Sequence, residues 1–111
     1  MPTRVNNNQA RQYVERKEPF AGSNTFAEWQ SWLYVVYSYG HHWPMFVYDS
    51  QVDLWFENTS KYSRTTSKQH GQLRPFGLEY TPMSRDEICA LVDAGGFKNY
   101  TVRRLKGRQA A

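Results

Sequence analysis

Residues 33–70 read LYVVYSYGHHWPMFVYDSQVDLWFENTSKYSRTTSKQH, and a change of texture within them decides the fold. Up to Asn58 the stretch is dense in aromatic and β-branched side chains, interrupted by short polar turns. From Thr59 it is polar throughout, with seven hydroxyl side chains between Thr59 and Ser67. Leu33 to Tyr39 carries the residue types that suit a pleated surface and stops at Gly40. It is apolar at both odd and even positions, which predicts a strand covered on both faces and central in its sheet. Gly40, His41 and His42 form the connection to a second strand, WPMFVYD, whose Pro44 lies near the start, where a missing N–H costs least. Asp49, Ser50 and Gln51 make the next turn. A third strand follows over VDLWFEN, in which Val52, Leu54 and Phe56 alternate with Asp53, Trp55 and Glu57. Three strands joined by short turns predict an antiparallel meander.

The best helix signal lies further on, over Ser84 to Ala94. SRDE has the spacing of a capping box, in which the Ser84 oxygen accepts from the backbone and Glu87 reaches back. Asp86 and Glu87 suit the positive end of the helix dipole. Ile88, Leu91 and Val92 form the apolar face, and Gly95 and Gly96 supply the stop. Upstream, NNQARQYVERK predicts a short helix from Asn6 or Asn7, with Ala10, Tyr13 and Val14 as a narrow stripe and Pro19 as its limit. TFAEWQSW predicts a second short helix, with Phe26, Trp29 and Trp32 on one face. Pro75 and Gly77 open a loop that Pro82 closes, and FKNYTVRRL predicts a final short strand. Residues 1–5 and 106–111 read as tails. The expected architecture is one α+β domain over 1–111, with a three- or four-stranded antiparallel sheet and two or three short helices.

A chain of 111 residues, 40% hydrophobic and 16% aromatic, has enough material for a real core. A single cysteine, Cys89, excludes an intrachain disulfide framework. The thiol sits beside the apolar stripe of its helix and reads as a packed residue, since a reactive one needs an electropositive, accessible setting. MPTRVNNNQARQ lacks the apolar segment of a signal peptide, and no run approaches the ~18 apolar residues of a membrane span. A cytoplasmic protein is expected.

Net charge is +4, and it is unevenly placed. Lys61 to Arg74 holds four basic residues, one histidine and no acid, and Lys98 to the end holds five basic residues and no acid. Clustered positive charge favours phosphates or acidic partners. Arg64, Thr65, Thr66, Ser67, Lys68 and His70 together offer hydroxyls, cations and backbone N–H groups, which is what an anion needs. The alternative is a polar loop whose hydroxyls cap their own backbone. Arg103, Arg104 and Lys106 form a basic arm able to track a phosphate backbone.

Other chemistries are weaker. Adjacent His41 and His42 on an extended chain point to opposite faces, and no metal-ligand spacing such as HxH or CxxC occurs, so no metal or cofactor is expected. A nuclease using His70 as general base, with Tyr62, Arg64 or Lys68 on a phosphoryl oxygen, lacks any paired carboxylates or nucleophile motif to support it. Trp32, Tyr34, Tyr37, Tyr39, Trp43, Tyr48 and Trp55 raise the possibility of a base-stacking sheet, against the plainer reading that they fill the core.

The order VVYSYGHHWPMFVYD followed by LWFENTSKYSRTTSKQH resembles a family of short uncharacterised proteins encoded by tailed bacteriophages. The matching positions are Tyr37 to Gly40, Trp43, Pro44, Phe46 to Asp49, Trp55, Asn58, Lys61 to Ser63, Thr65 to Ser67 and His70, about a third of the chain. The resemblance implies a phage origin and action in the cytoplasm of an infected bacterium, and it brings no catalytic role. The resulting expectation is a small non-catalytic accessory protein that binds nucleic acid or another phosphate-bearing ligand. The alternative is an inhibitor that docks on a bacterial host protein, such as a defence or transcription component, with Trp43 and Trp55 as aromatic anchors.

Overall fold

The computed structural model describes residues 3–4, 7–22, 24–60, 73–74 and 77–102. Within them, strands β1 (Thr3–Arg4), β2 (Phe20–Ala21), β3 (Thr25–Gln30), β4 (Leu33–Ser38), β5 (Pro44–Asp49), β6 (Leu54–Asn58) and β7 (Tyr80–Met83) form one sheet, ordered as they occur along the chain. Helix α1 (Asn7–Glu15) joins β1 to β2, and helix α2 (Arg85–Ala94) follows β7, after which residues 97–102 are again helical. The meander from β2 to β6 is antiparallel, whereas β1 and β7 run parallel to their neighbours. Parallel neighbours need a long crossover. Residues 5–19, with α1, supply one and residues 59–79 the other.

The α+β class stands, and so do the three meander strands and the capped helix. The sheet is larger than the three or four strands expected, and four segments change type. The first is Thr3–Arg4 in the expected tail, which pairs with Phe20–Ala21 as β1. TFAEWQ is β3, not a helix, and its pairing with β4 runs from Thr25↔Ser38 to Gln30↔Leu33. Phe26, Trp29 and Trp32 satisfy a helical spacing, but Thr25 and Ala27 are buried on one side while Phe26, Glu28 and Gln30 share the other. Partnership with the most apolar strand of the chain overrides that local pattern. The expected loop before Pro82 contains β7, an outermost strand of the described sheet, where a proline is tolerated. Residues 97–102 are helical rather than extended. Thr66 and Ser67, whose hydroxyls also read as caps of their own backbone, lie outside the described residues.

β4 is buried at all six positions and takes the middle of the sheet. Alternation sends Tyr34 and Val36 to one face and Leu33, Val35 and Tyr37 to the other. The first face packs with Ala10 and Val14 of α1, Phe46, Trp55 and Leu73, and the second with Ile88 and Leu91 of α2, Val47, Phe56 and Tyr100. The molecule is therefore three layers deep, helix on sheet on helix. A bulge breaks the β4–β5 register: Val36 pairs with Phe46, but Tyr37 pairs with Pro44, which leaves Met45 unpaired. Met45 and Phe46 consequently both point into the α1-side core, and Pro44 stands where no ladder N–H is required.

Both helices stop in the same way. Lys17 adopts φ 56°, with Lys17 N–H donating to Val14 O at 3.1 Å and Glu18 N–H to Tyr13 O at 2.8 Å. At α2, Gly95 adopts φ 83°, its N–H donates to Val92 O at 3.0 Å, and Gly96 N–H donates to Leu91 O at 3.2 Å. This paired pattern satisfies the last helical carbonyls. At the start of α2 the capping box is complete, with Ser84 Oγ accepting from Glu87 N–H and Glu87 Oε1 accepting from Ser84 N–H, each at 3.2 Å.

Candidate functional site

The residues expected to hold an anion, Arg64, Thr65, Thr66, Ser67, Lys68 and His70, lie outside the described residues, as do Arg103, Arg104 and Lys106. Their points of attachment are defined. The first segment leaves at Ser60, whose Oγ accepts from Arg85 N–H at 2.9 Å at the start of α2. It returns at Leu73, buried on the α1 side, and at Arg74, which pairs with Glu57 and lies 4.5 Å above the Tyr80 ring.

Trp43 and Trp55 are not surface anchors. They are 8% and 6% exposed and belong to the α1-side core. Trp55 is surrounded by Tyr48, Tyr80 and Tyr34, with ring centroids at 5.2, 6.1 and 6.4 Å. The physical reason is the second covering layer: α1 closes the face on which these indoles stand, so their apolar area goes into the core. The two covering layers together remove the stacking sheet: Tyr34, Trp43 and Trp55 are buried on the α1 side and Tyr37 on the α2 side. Among the described residues, the large aromatics most open to solvent are Trp29, 40% exposed, and Tyr39, 52% exposed.

On the α2 side the chain builds a polar cleft that depends on β3 being a strand. Alternation aligns Phe26, Glu28 and Gln30 on one face of β3, beside Tyr37 of β4, while the turn after β4 brings His41 back over them. His41 Nε2 lies 2.7 Å from Glu28 Oε1, and Gln30 Nε2 donates to the same oxygen at 3.2 Å and to the Tyr37 hydroxyl at 2.5 Å. An ionised carboxylate only accepts, so Nε2 is the protonated nitrogen of His41 and the amide nitrogen of Gln30 faces Glu28. The imidazole packs on Tyr37 and Phe26 at centroid distances of 4.8 and 5.1 Å, and those two rings stack at 5.0 Å. Cys89, Ala90, Val92 and Asp93 of α2 form the opposite wall, and with Gln30, Tyr37, His41 and Pro44 they enclose a half-open space of about 520 Å³.

Burial raises the Tyr37 phenol above its ordinary pKa; the Gln30 hydrogen bond opposes this, and the Glu28 and Cys89 charges add to it. Burial likewise pushes the Cys89 thiol up, against the pull of Arg85. Its Sγ lies 3.7 Å from the His42 carbonyl. A protonated thiol is a poor nucleophile. The cleft therefore offers hydrogen bonds and apolar walls rather than an activated attacking group. Among the described residues no three His, Cys, Asp or Glu side chains converge as metal ligands. None of the helices there is long and apolar enough to cross a membrane.

The sequence reads His41 as a turn residue and does not single out Glu28, Gln30 and Tyr37 as a group. The one available signal was the alternation of polar Glu28 and Gln30 with Ala27 and Trp29. A scan against protein-family models finds no match for this chain, and searches of curated proteins and of solved structures find none either.

Proposed function

We propose that the protein is a small non-catalytic bacteriophage accessory protein, acting in the cytoplasm of the infected host, that binds nucleic acid or another phosphate-bearing ligand. Arg64, Thr65, Thr66, Ser67, Lys68 and His70 hold the anion, and Arg103, Arg104 and Lys106 add long-range attraction. The observation that carries this reading is the segregation of charge. Ten acidic residues are present in the chain, yet none falls within 61–74 or from Lys98 onward. Helices cover both faces of the central strands, so phosphate contacts rather than base stacking supply the affinity.

Binding of single- and double-stranded probes across a salt series tests it. Neutralising four phosphates makes affinity fall by roughly a hundredfold between about 50 and 200 mM salt. The double change Arg64→Ala with Lys68→Ala should weaken low-salt binding and flatten the salt slope while the far-ultraviolet circular dichroism stays the same. Unchanged affinity in that variant overturns the site assignment. A second reading, docking on a bacterial host protein, would use exposed Trp29 and Tyr39 in place of buried Trp43 and Trp55. Binding of that kind changes little with salt.

A further inference from the structure

We infer that the cleft between the β4–β5 connection and α2 binds the hydrogen-bonding edge of an amino-bearing nucleobase. The inference does not rest on the phosphate reading, because a nucleoside without phosphate suffices.

Two groups set the chemistry. Tyr37 is 1% exposed, yet it lines the cleft. Its oxygen accepts from Gln30, whose orientation Glu28 fixes, so the phenolic hydrogen is turned away from that pair and meets no acceptor among the described residues. A hydroxyl held in a buried place with its proton unspent is matched by a ligand acceptor. Asp93, exposed on the opposite wall, is an acceptor able to exchange water for a ligand donor.

The remaining walls narrow the ligand. Phosphate and carboxylate ligands would meet the charges of Glu28 and Asp93 at close range. A lysine- or arginine-like ligand carries donors only and leaves the Tyr37 proton unmatched. A divalent cation lacks the three converging ligands it needs. An uncharged planar ring fits: His41 presents an aromatic surface, Pro44, Ala90 and Val92 are apolar, and the volume lies in the ordinary range for small ligands. Adenine, cytosine and guanine each place an amino donor near an acceptor. In uracil the ring N–H is flanked by two carbonyl oxygens, which the Asp93 carboxylate repels.

Calorimetric titration of the full chain with adenosine, cytidine, guanosine and uridine tests the inference. At least one of the three amino-bearing nucleosides should bind about tenfold or more tightly than uridine. Tyr37→Phe keeps the ring volume and removes the hydroxyl; Asp93→Asn alters an exposed side chain and leaves folding intact. Each should weaken the preferred nucleoside about tenfold, the equivalent of one hydrogen bond. Should Tyr37→Phe fail to fold, Asp93→Asn decides alone. The inference is overturned by no nucleoside binding in the millimolar range, by uridine binding as tightly as the rest, or by wild-type affinity in either folded variant. None of these outcomes depends on the basic segments, whose failure shows instead in the salt series.

Discussion

At the scale of single residues, Gly96 has less room than Gly40, Gly77 or Gly95. It has φ 133°, and a Cβ there would stand 2.8 Å from Trp32 Nε1 and 3.0 Å from Asp49 Oδ2. Asp49 is fully buried and busy on both oxygens, accepting from Gln51 N–H at 2.9 Å and from Phe97 N–H at 2.7 Å. Its carboxylate thus ties the end of β5 to the start of the helical segment 97–102. Gly96→Ala combines a backbone conformation that L residues avoid with a clash against an indole and this carboxylate. It should cost ~1–3 kcal/mol, read as a lower urea midpoint with an unchanged slope. Gly95 and Gly96 were recognised in the sequence as a helix stop, and Gly95 fills that role. The second task of Gly96, close approach to Trp32 and Asp49, joins residues far apart in the chain and has no local signature.

At the scale of elements, local signals succeeded where the element's own residues close its ends. Ser84 and Glu87 satisfy each other across three residues, so α2 was legible before any packing was considered. Ser84→Ala removes one half of that box and should lower stability by about 1 kcal/mol, while Ser84→Asp or Ser84→Asn should largely restore it; thermal melts of the three variants check this. β3 is the opposite case. Its six residues hold Glu28 and Gln30 as well as Phe26 and Trp29, so neither period dominates, and pairing with β4 decides. The cleft follows directly from that decision, because only a strand sets Glu28 and Gln30 side by side under His41. β7 was hidden for a related reason: Pro82 argues against a strand except at an edge, and edge position is a property of the whole sheet.

At the scale of the whole molecule, enclosing the aromatics between two helical layers leaves a signature in alkali. Burial, reinforced by the charges of Glu57 and Glu15 and opposed by Arg74, holds the Tyr80 phenol up to about 12. Burial, with a smaller push from Glu18, raises Tyr34 further, and its hydroxyl donates to the Glu18 carbonyl at 2.7 Å. Both phenols ionise near 10 once unfolded. Below that pH both states are protonated and the groups contribute no pH dependence. Above it the unfolded chain loses protons that the native state keeps, so stability falls as pH rises. Urea midpoints should therefore stay level up to about pH 10 and drop between about 10 and 12. A drop of equal size in the Tyr34→Phe, Tyr80→Phe double variant would show that these two rings do not carry it.

Taken alone, the chain's residues determined the α+β class, the central place of Leu33–Ser38, the two meander strands that follow it up to Asn58, and the capped helix Arg85–Ala94. Each depends on neighbours within a few positions: β-branched runs, short polar turns, a serine three residues before a glutamate. Charge segregation in 61–74 and after Lys98 is equally a property of the sequence. Tertiary structure alone decided that β3 is a strand, that β1 and β7 extend the sheet by parallel pairing, and that Trp43 and Trp55 are buried while Trp29 is not. It also brought Glu28, Gln30, Tyr37 and His41 together opposite Cys89 and Asp93. Those outcomes depend on which surfaces remain to be covered once the meander has formed. Two helices falling on opposite faces of one sheet answer that question, and nothing within a window of ten residues states it.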